Sequence, residues 1–232
     1  MALYILSDLH LSEKAPKPMD IFGSRWKNHT EKLVALWRNI VCEEDTVIIG
    51  GDISWGITID EAGDDIRLVS SLPGNKIFLK GNHDYWWNTV SKINAFFKEN
   101  NIENINILQN NAIKTEGYVV CGTRGWYNDP TSSPRDADFS KIVNREAIRL
   151  RLSLEEAVKE DGEIICVFHF PPVFGGYVCR ELVDILHEYS ITRCFFGHIH
   201  GVYKIPRTVT YEGIDFTITS ADYLDFRPLK IE

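Results

Sequence analysis

Five stretches of this sequence each set metal-capable side chains directly after an apolar run. ALYILS leads into Asp8-Leu9-His10, TVIIGG into Asp52, KIFLKG into Asn82-His83-Asp84, EIICVF into His169, and RCFFG into His198-Ile199-His200. Carboxylate, imidazole and amide groups are the donors that transition-metal ions accept. A lone His at such a place is an ordinary hydrogen-bonded turn residue, and an Asp or Asn there caps a turn or helix. Concentration argues against that reading, because five of the seven histidines fall in this one class of position. His29 and His187 are the contrast: both lie in helical patterns and read as structural or solvent-exposed. The i, i+2 spacing of Asp8/His10 and His198/His200 sets both members on one side of an extended segment. Gly50, Gly51, Gly81 and Gly197 precede these groups, where the chain must turn sharply or approach something closely.

Groups so far apart in sequence can meet if each sits at a strand end. Apolar, β-branched runs predict strands at Leu3 to Leu6, Val47 to Ile49, Ile77 to Leu79, Ile105 to Leu108, Tyr118 to Cys121, Ile164 to Phe168 and Cys194 to Phe196. Apolar residues at helical spacing predict helices over Thr30 to Val41, Ile59 to Ser71, Thr89 to Asn100, Val143 to Lys159 and Arg180 to Tyr189. Alternation of the two implies an α/β domain with strands buried on both faces. In such sheets ligands bind outside the carboxyl ends of the strands. TVTYEGIDFTIT, residues 208–219, alternates around Glu212-Gly213 and reads as a β-hairpin. Leu11 to Lys27 and Gly122 to Ser140 carry two prolines each and read as long irregular connections, the second a candidate lid.

At 232 residues the chain fits one domain, 1–232. The 25 basic against 33 acidic side chains leave a net charge of -8, with no global positive field for nucleic acid. Five cysteines without a C-x-x-C pair describe neither a disulfide framework nor a thiolate zinc knot. With no basic leader and no apolar stretch of membrane-spanning length, the expected setting is cytoplasmic.

The blocks D-L-H, G-D, G-N-H-D, H and G-H-I-H, in this order over residues 8 to 200, resemble the calcineurin-like metallophosphoesterases, specifically a small bacterial-type phosphohydrolase. That resemblance implies a four-layer α/β/β/α sandwich with two mixed β-sheets. It also implies two transition-metal ions, divalent or trivalent (Mn, Fe, Zn, Co or Ni), sharing one aspartate. Carried over by block, Asp8, His10, Asp52 and His200 hold one ion, and Asp52, Asn82, His169 and His198 the other. The implied reaction is hydrolysis of a phosphomonoester or phosphodiester by in-line attack of a metal-activated hydroxide. His83 is then the general acid, and Asp84 orients the loop or the His83 ring. The donor set makes electrostatic sense: two divalent ions bring four positive charges and Asp8 and Asp52 remove two, so the site stays cationic and draws in a phosphate ester.

The chain departs from the protein phosphatases of that superfamily, since GDISWG has Trp55 where they carry an aspartate. Trp55, Trp86, Trp87 and Trp126 follow strand ends and could wall a nucleobase, or simply pack. Arg124, in CGTRGW, could grip a phosphate through its planar fork or form an ordinary ion pair. Arg135 lies in the same irregular segment. The expected partner is a small phosphoester, a nucleotide among the options, with nucleic acid and membrane disfavoured and oligomeric state open. Two other readings are a non-catalytic metal-binding scaffold of the same fold, as in one retromer subunit, and a DNA nuclease, disfavoured by the acidic balance and short chain.

Overall fold

The computed structural model describes residues 1–127 and 139–232. The amino-terminal half runs β1 (Leu3–Leu6), two 3₁₀ turns (Met19–Phe22 and Ser24–Trp26), α1 (His29–Ile40), β2 (Thr46–Ile49), α2 (Ile59–Ser70), β3 (Asn75–Phe78), α3 (Val90–Glu99) and β4 (Ile105–Ile107). The remainder runs β5 (Ile113–Thr115), β6 (Tyr118–Thr123), α4 (Ser140–Ala157), β7 (Glu163–Phe168), β8 (Val173–Phe174), β9 (Tyr177–Val178), α5 (Arg180–Glu188), β10 (Arg193–Phe196), β11 (Thr208–Tyr211), β12 (Ile214–Ile218) and β13 (Leu229–Ile231). Helix starts follow local chemistry. Thr58 and Glu61 close a reciprocal capping box on α2, and the Thr89 hydroxyl accepts from Lys92 N–H to start α3.

Two mixed sheets result. One has the order β13-β1-β2-β3-β4, the other β11-β12-β10-β7-β6-β5. In the first β13 alone is antiparallel; in the second β5 and β11 run antiparallel at the edges. Strand periodicity sorts the side chains into layers. Leu3, Ile5, Ile48 and Ile77 meet Val120, Ile165, Val167 and Phe195 between the sheets. On the outer face of the first sheet, Leu6, Val47, Ile49 and Phe78 pack with Leu33 and Trp37 of α1, Ile66 of α2 and Phe97 of α3. Cys121, Cys166, Phe168, Cys194 and Phe196 face Leu150 and Leu154 of α4 and Leu182 and Leu186 of α5. This is the expected four-layer α/β/β/α sandwich. Each fully buried large aliphatic side chain contributes about 1.5–3 kcal/mol.

Polar detail departs from a plain core at Lys76, fully buried on β3, whose Nζ donates to the carbonyls of Ser70 and Leu72 at the end of α2. Burial lowers its pKa to about 8.

The 208–219 hairpin forms as expected, with Glu212 and Gly213 both at positive φ, as a tight primed turn requires. Four strands escaped the sequence reading: β5, β8, β9 and β13. Each is two or three residues long and is a strand because a partner accepts it, β13 by pairing antiparallel with β1. The Leu11 to Lys27 connection holds the two 3₁₀ turns and buries Trp26. Of the second irregular segment, residues 128–138 lie outside the described residues, and with them Arg135 and the candidate lid. Among the described residues no helix is long and apolar enough to cross a membrane.

Candidate metal centre

The five polar blocks sit at the carboxyl ends of β1, β2, β3, β7 and β10, which run parallel within their two sheets. Pairing continues past the strands and draws the ends together. Asp8 N–H donates to the Gly51 carbonyl at 2.9 Å, His10 N–H to the Asp52 carbonyl at 3.0 Å, and His198 N–H to Asp8 Oδ2 at 2.9 Å. Asp8, His10, Asp52 and His198 adopt positive φ of 62°, 48°, 53° and 69°. This left-handed backbone is uncommon for residues with side chains and clusters where surrounding structure imposes it for function. Glycine is needed beside them: a Cβ on Gly197 would lie 2.6 Å from Asp8 Oδ2, and one on Gly51 2.7 Å from His169 Nδ1.

The side chains converge. His169 Nε2 lies 2.7 Å from Asn82 Oδ1 and 3.5 Å from Asp52 Oδ2. His10 Nε2 lies 3.4 Å from His200 Nε2 and 3.7 Å from Asp52 Oδ2, and His200 Nε2 is 3.6 Å from Asp8 Oδ1. The His198 ring stands 5.4 Å from that of His169. Two groups could each hold a metal ion, Asp8 with His10 and His200, and Asp8 with Asp52 and His169. Asp8 therefore reaches both groups, where the residue-by-residue carry-over shared only Asp52.

Donor chemistry fits cations. Asp52 Oδ2 and His10 Nδ1 are buried without a hydrogen-bond partner among the described residues, a condition rare enough in folded proteins to require an explanation. Burial pushes Asp8 up to about 8 and Asp52 up to about 6. Burial likewise depresses His10 well below the usual imidazole range and His169 to about 3. His200 goes the other way: burial opposes its charge, but Asp8, the Asp222 hydrogen bond and Asp52 raise it to about 9. Apart from His200, these buried carboxylates and imidazoles are hard to charge on their own, and such a set is one that a transition-metal cation neutralises and orients.

Outer hydrogen bonds set the rings. His169 Nδ1 faces the Gly50 carbonyl at 3.1 Å, which leaves Nε2 for the centre. His200 Nδ1 is 2.8 Å from Asp222 Oδ1, while Asp222 Oδ2 accepts from Gly201 N–H and Tyr203 Oη, both at 3.0 Å. The sequence reading missed Asp222. Its signal was available, since TITSAD leaves β12 with the same polar ending as the other blocks.

His83 lines the opening of the site, a cavity of about 120 Å³ bounded by His10, Asp52, His198, His200, Trp26 and Trp55. Its backbone N–H donates to Asp52 Oδ1 at 2.7 Å, and its ring lies 4.3 Å from that of Trp55. Burial, with Lys17 and His200 nearby, lowers its pKa against the pull of Asp52. Asp84 is fully buried and accepts from the N–H groups of Gly81, Asp52, Ile53 and Ser54 and from Trp86 Nε1. Of its two expected roles, these bonds belong to the loop: Asp84 clamps the exit of β3 to that of β2. Arg124 stands 3.7 Å from Glu146, the ordinary ion-pair arrangement, with Nε buried and unpartnered among the described residues. The tryptophans divide: Trp86 and Trp87 are buried, Trp126 packs on Phe139 and Phe170, and Trp55 stacks on His10 at 5.0 Å. Trp26, unremarked in the sequence, joins Trp55 at the site, 5.6 Å from His10. His29 is structural, holding the His10 carbonyl at 3.2 Å, and His187 is exposed beside Glu212.

Comparison with known proteins agrees with this geometry. Two solved structures share the fold, each at 14% identity and a TM-score of 0.58. The first, a phosphopantetheinyl hydrolase from Mycobacterium tuberculosis, aligns over 99% of this chain and 95% of its own. The second, the protein TT1561 of Thermus thermophilus, aligns over 95% and 89%. The Gene 66 protein of Mycobacterium phage L5 is 33% identical over 81 residues, 35% of this chain, and the match spans only 39% of the phage protein. The family model for calcineurin-like phosphoesterase matches residues 1–202, the span that contains all five strand-end blocks, and the chain belongs to that family.

Proposed function

We propose that the chain is a dinuclear metal-dependent phosphohydrolase acting on a small phosphoester, with nucleotides among the candidates, and that residues 1–232 form one domain working in the cytoplasm. The observation that carries this reading is the convergence of Asp8, His10, Asp52, Asn82, His169, His198 and His200, with buried Asp52 Oδ2 unpartnered among the described residues. Those seven side chains would hold two ions, and mixed imidazole and oxygen donors suit Mn, Fe, Zn, Co or Ni over Ca or Mg. When bound, the ions would polarise phosphoryl oxygens and lower the pKa of water to supply hydroxide near neutrality.

The protein's own groups do the rest. His83, on the cavity wall, protonates the departing oxygen as the P–O ester bond breaks, while its backbone bond to Asp52 and the Trp55 ring hold it at the edge of the centre. Asp84 keeps the Asp52 and Asn82 loops in register, and Arg124 adds positive field beside Asp52.

The test is metal reconstitution, metal counting, and hydrolysis of p-nitrophenyl phosphate, its bis-ester, a nucleotide panel and a phosphopantetheinyl ester. Two ions per chain with turnover support the reading, and a monoester preference above about tenfold, about 1.4 kcal/mol of barrier, assigns the class. Two ions with no hydrolysis across the panel would return the chain to the scaffold reading.

A further inference from the structure

A second polar cavity, of about 470 Å³, opens beside the metal centre, bounded by Lys80, Arg124, Arg145 and Arg149 and by Asn88 and Thr89 at the start of α3. Lys80 precedes Asn82 by two residues on the exit from β3, and the Arg124 carbonyl accepts from the N–H of Phe170, the neighbour of His169, at 2.8 Å. Four cations around one cavity run against the net charge of -8.

Their counter-charge is Glu146, fully buried on α4. Glu146 Oε1 lies 2.7 Å from Arg149 Nη1, 3.7 Å from Arg124 Nη2 and 3.8 Å from Arg145 Nε, while Oε2 accepts from Thr123 Oγ1 at 2.6 Å. Both carboxylate oxygens are thus engaged. No other carboxylate of the described residues is within ion-pair distance of these four side chains, so among the described residues four positive charges face one carboxylate. Among the described residues Lys80 makes no hydrogen bond or ion pair, and Arg124 Nε is buried without a partner. Glu146 gathers the guanidinium groups without neutralising them, and the amino-terminal end of α3 adds partial positive charge at the wall.

We infer that this cavity receives a second phosphoryl group of the substrate, so that the natural substrate is a small molecule carrying two phosphate groups, one at the metal centre and one among Lys80, Arg124, Arg145 and Arg149. The inference rests on the phosphoesterase reading above. Guanidinium forks match phosphate oxygens in pairs, and the lysine adds a point charge. The volume exceeds what a lone phosphate fills and lies within the range of small-ligand sites.

The experiment is inhibition of p-nitrophenyl phosphate turnover by the metal-reconstituted full chain, comparing adenosine 5′-monophosphate with adenosine 3′,5′-bisphosphate. The bisphosphate should inhibit at least about tenfold more strongly, with a preference that falls steeply with salt. Lys80→Gln, at a side chain without an ion pair among the described residues, and Arg145→Gln, at one held among them only by the 3.8 Å approach to Glu146, should each cut that preference severalfold. The preference is a ratio, which general damage to the enzyme does not move. A ratio near one in the wild type, or one that survives both substitutions, overturns the inference. Equilibrium dialysis of the same nucleotides separates the two failures. Turnover without selective retention of the bisphosphate removes the inference alone. Selective retention with no phosphoester hydrolysed removes the catalytic reading, and the substrate assignment with it.

Discussion

Asp222→Asn tests how the centre is held, at a residue beyond the 1–202 family match. Asp222 is fully buried and divides its two oxygens among three partners: His200 Nδ1 at 2.8 Å, and Gly201 N–H and Tyr203 Oη at 3.0 Å. In the neutral ring that a cation would bind, a carboxylate at Nδ1 keeps the remaining proton there and leaves the Nε2 lone pair aimed at the Asp8 and His10 side. The isosteric amide cannot do both jobs. If its oxygen turns to His200, its NH₂ meets the Gly201 N–H donor to donor, and a buried donor left unmade costs about 1–3 kcal/mol. If instead the NH₂ turns to His200, Nδ1 must accept, the ring proton moves to Nε2, and that nitrogen can no longer bind a cation. Losing an outer partner of a metal-binding His weakens metal affinity about 10–100-fold, or about 1.4–2.7 kcal/mol. The assay is competitive titration of Mn or Zn against a chelator, with urea unfolding as the control for the fold. Affinity within about threefold of wild type, with unfolding unchanged, would refute the claim that Asp222 sets the His200 tautomer.

Three further outcomes follow from the geometry. His83→Ala should keep its metal content and lower turnover about 10²–10⁴-fold for poor leaving groups, with a much smaller loss for p-nitrophenol; equal losses would remove His83 as the acid. Gly197→Ala brings a Cβ to 2.6 Å from both Asp8 Oδ2 and Ser7 Cβ, so it should cost about 1–3 kcal/mol in urea unfolding and weaken metal binding; wild-type values for both would show that this close approach is slack. Lys76, at about 8 folded against 10.5 for an exposed lysine, binds fewer protons folded than unfolded across that window. Stability relative to Lys76→Met should therefore rise from pH 8 to 10.5, by at most about 1.4 kcal/mol per pH unit, and stay level below about pH 7; a difference flat across the alkaline window would contradict burial as the cause.

The fold was legible where local pattern and tertiary demand coincide. Runs such as TVII and EIICVF are apolar at nearly every position because both faces of their strands are covered, one by helices and the other by the second sheet. The hairpin around Glu212-Gly213 was legible because its turn needs positive φ at two successive residues, which an acidic residue followed by glycine can adopt. LKI at 229–231 carries no such signal; its strand exists because β1 offers an unpaired edge. Asp222 differs from LKI in that TITSAD carries the polar ending of the other blocks, but its partner, His200, is set only by the exit of β12.

By itself, then, the sequence determined the candidate donors and their placement at strand ends, since residue type and position after an apolar run are local properties. Tertiary structure alone decided which donors meet. Two sheets had to stack so that five strand ends share one edge, and Asp8, His10, Asp52 and His198 had to turn into left-handed backbone to aim inward. Long-range packing also set Asp84 against the N–H groups of two loops, buried Trp86 and Trp87 while Trp55 and Trp26 border the site, and gathered three arginines around Glu146 at a second cavity. Contacts such as Asp84 with Asp52, 32 positions apart, and His10 with His200, 190 apart, leave no trace in a one-dimensional pattern.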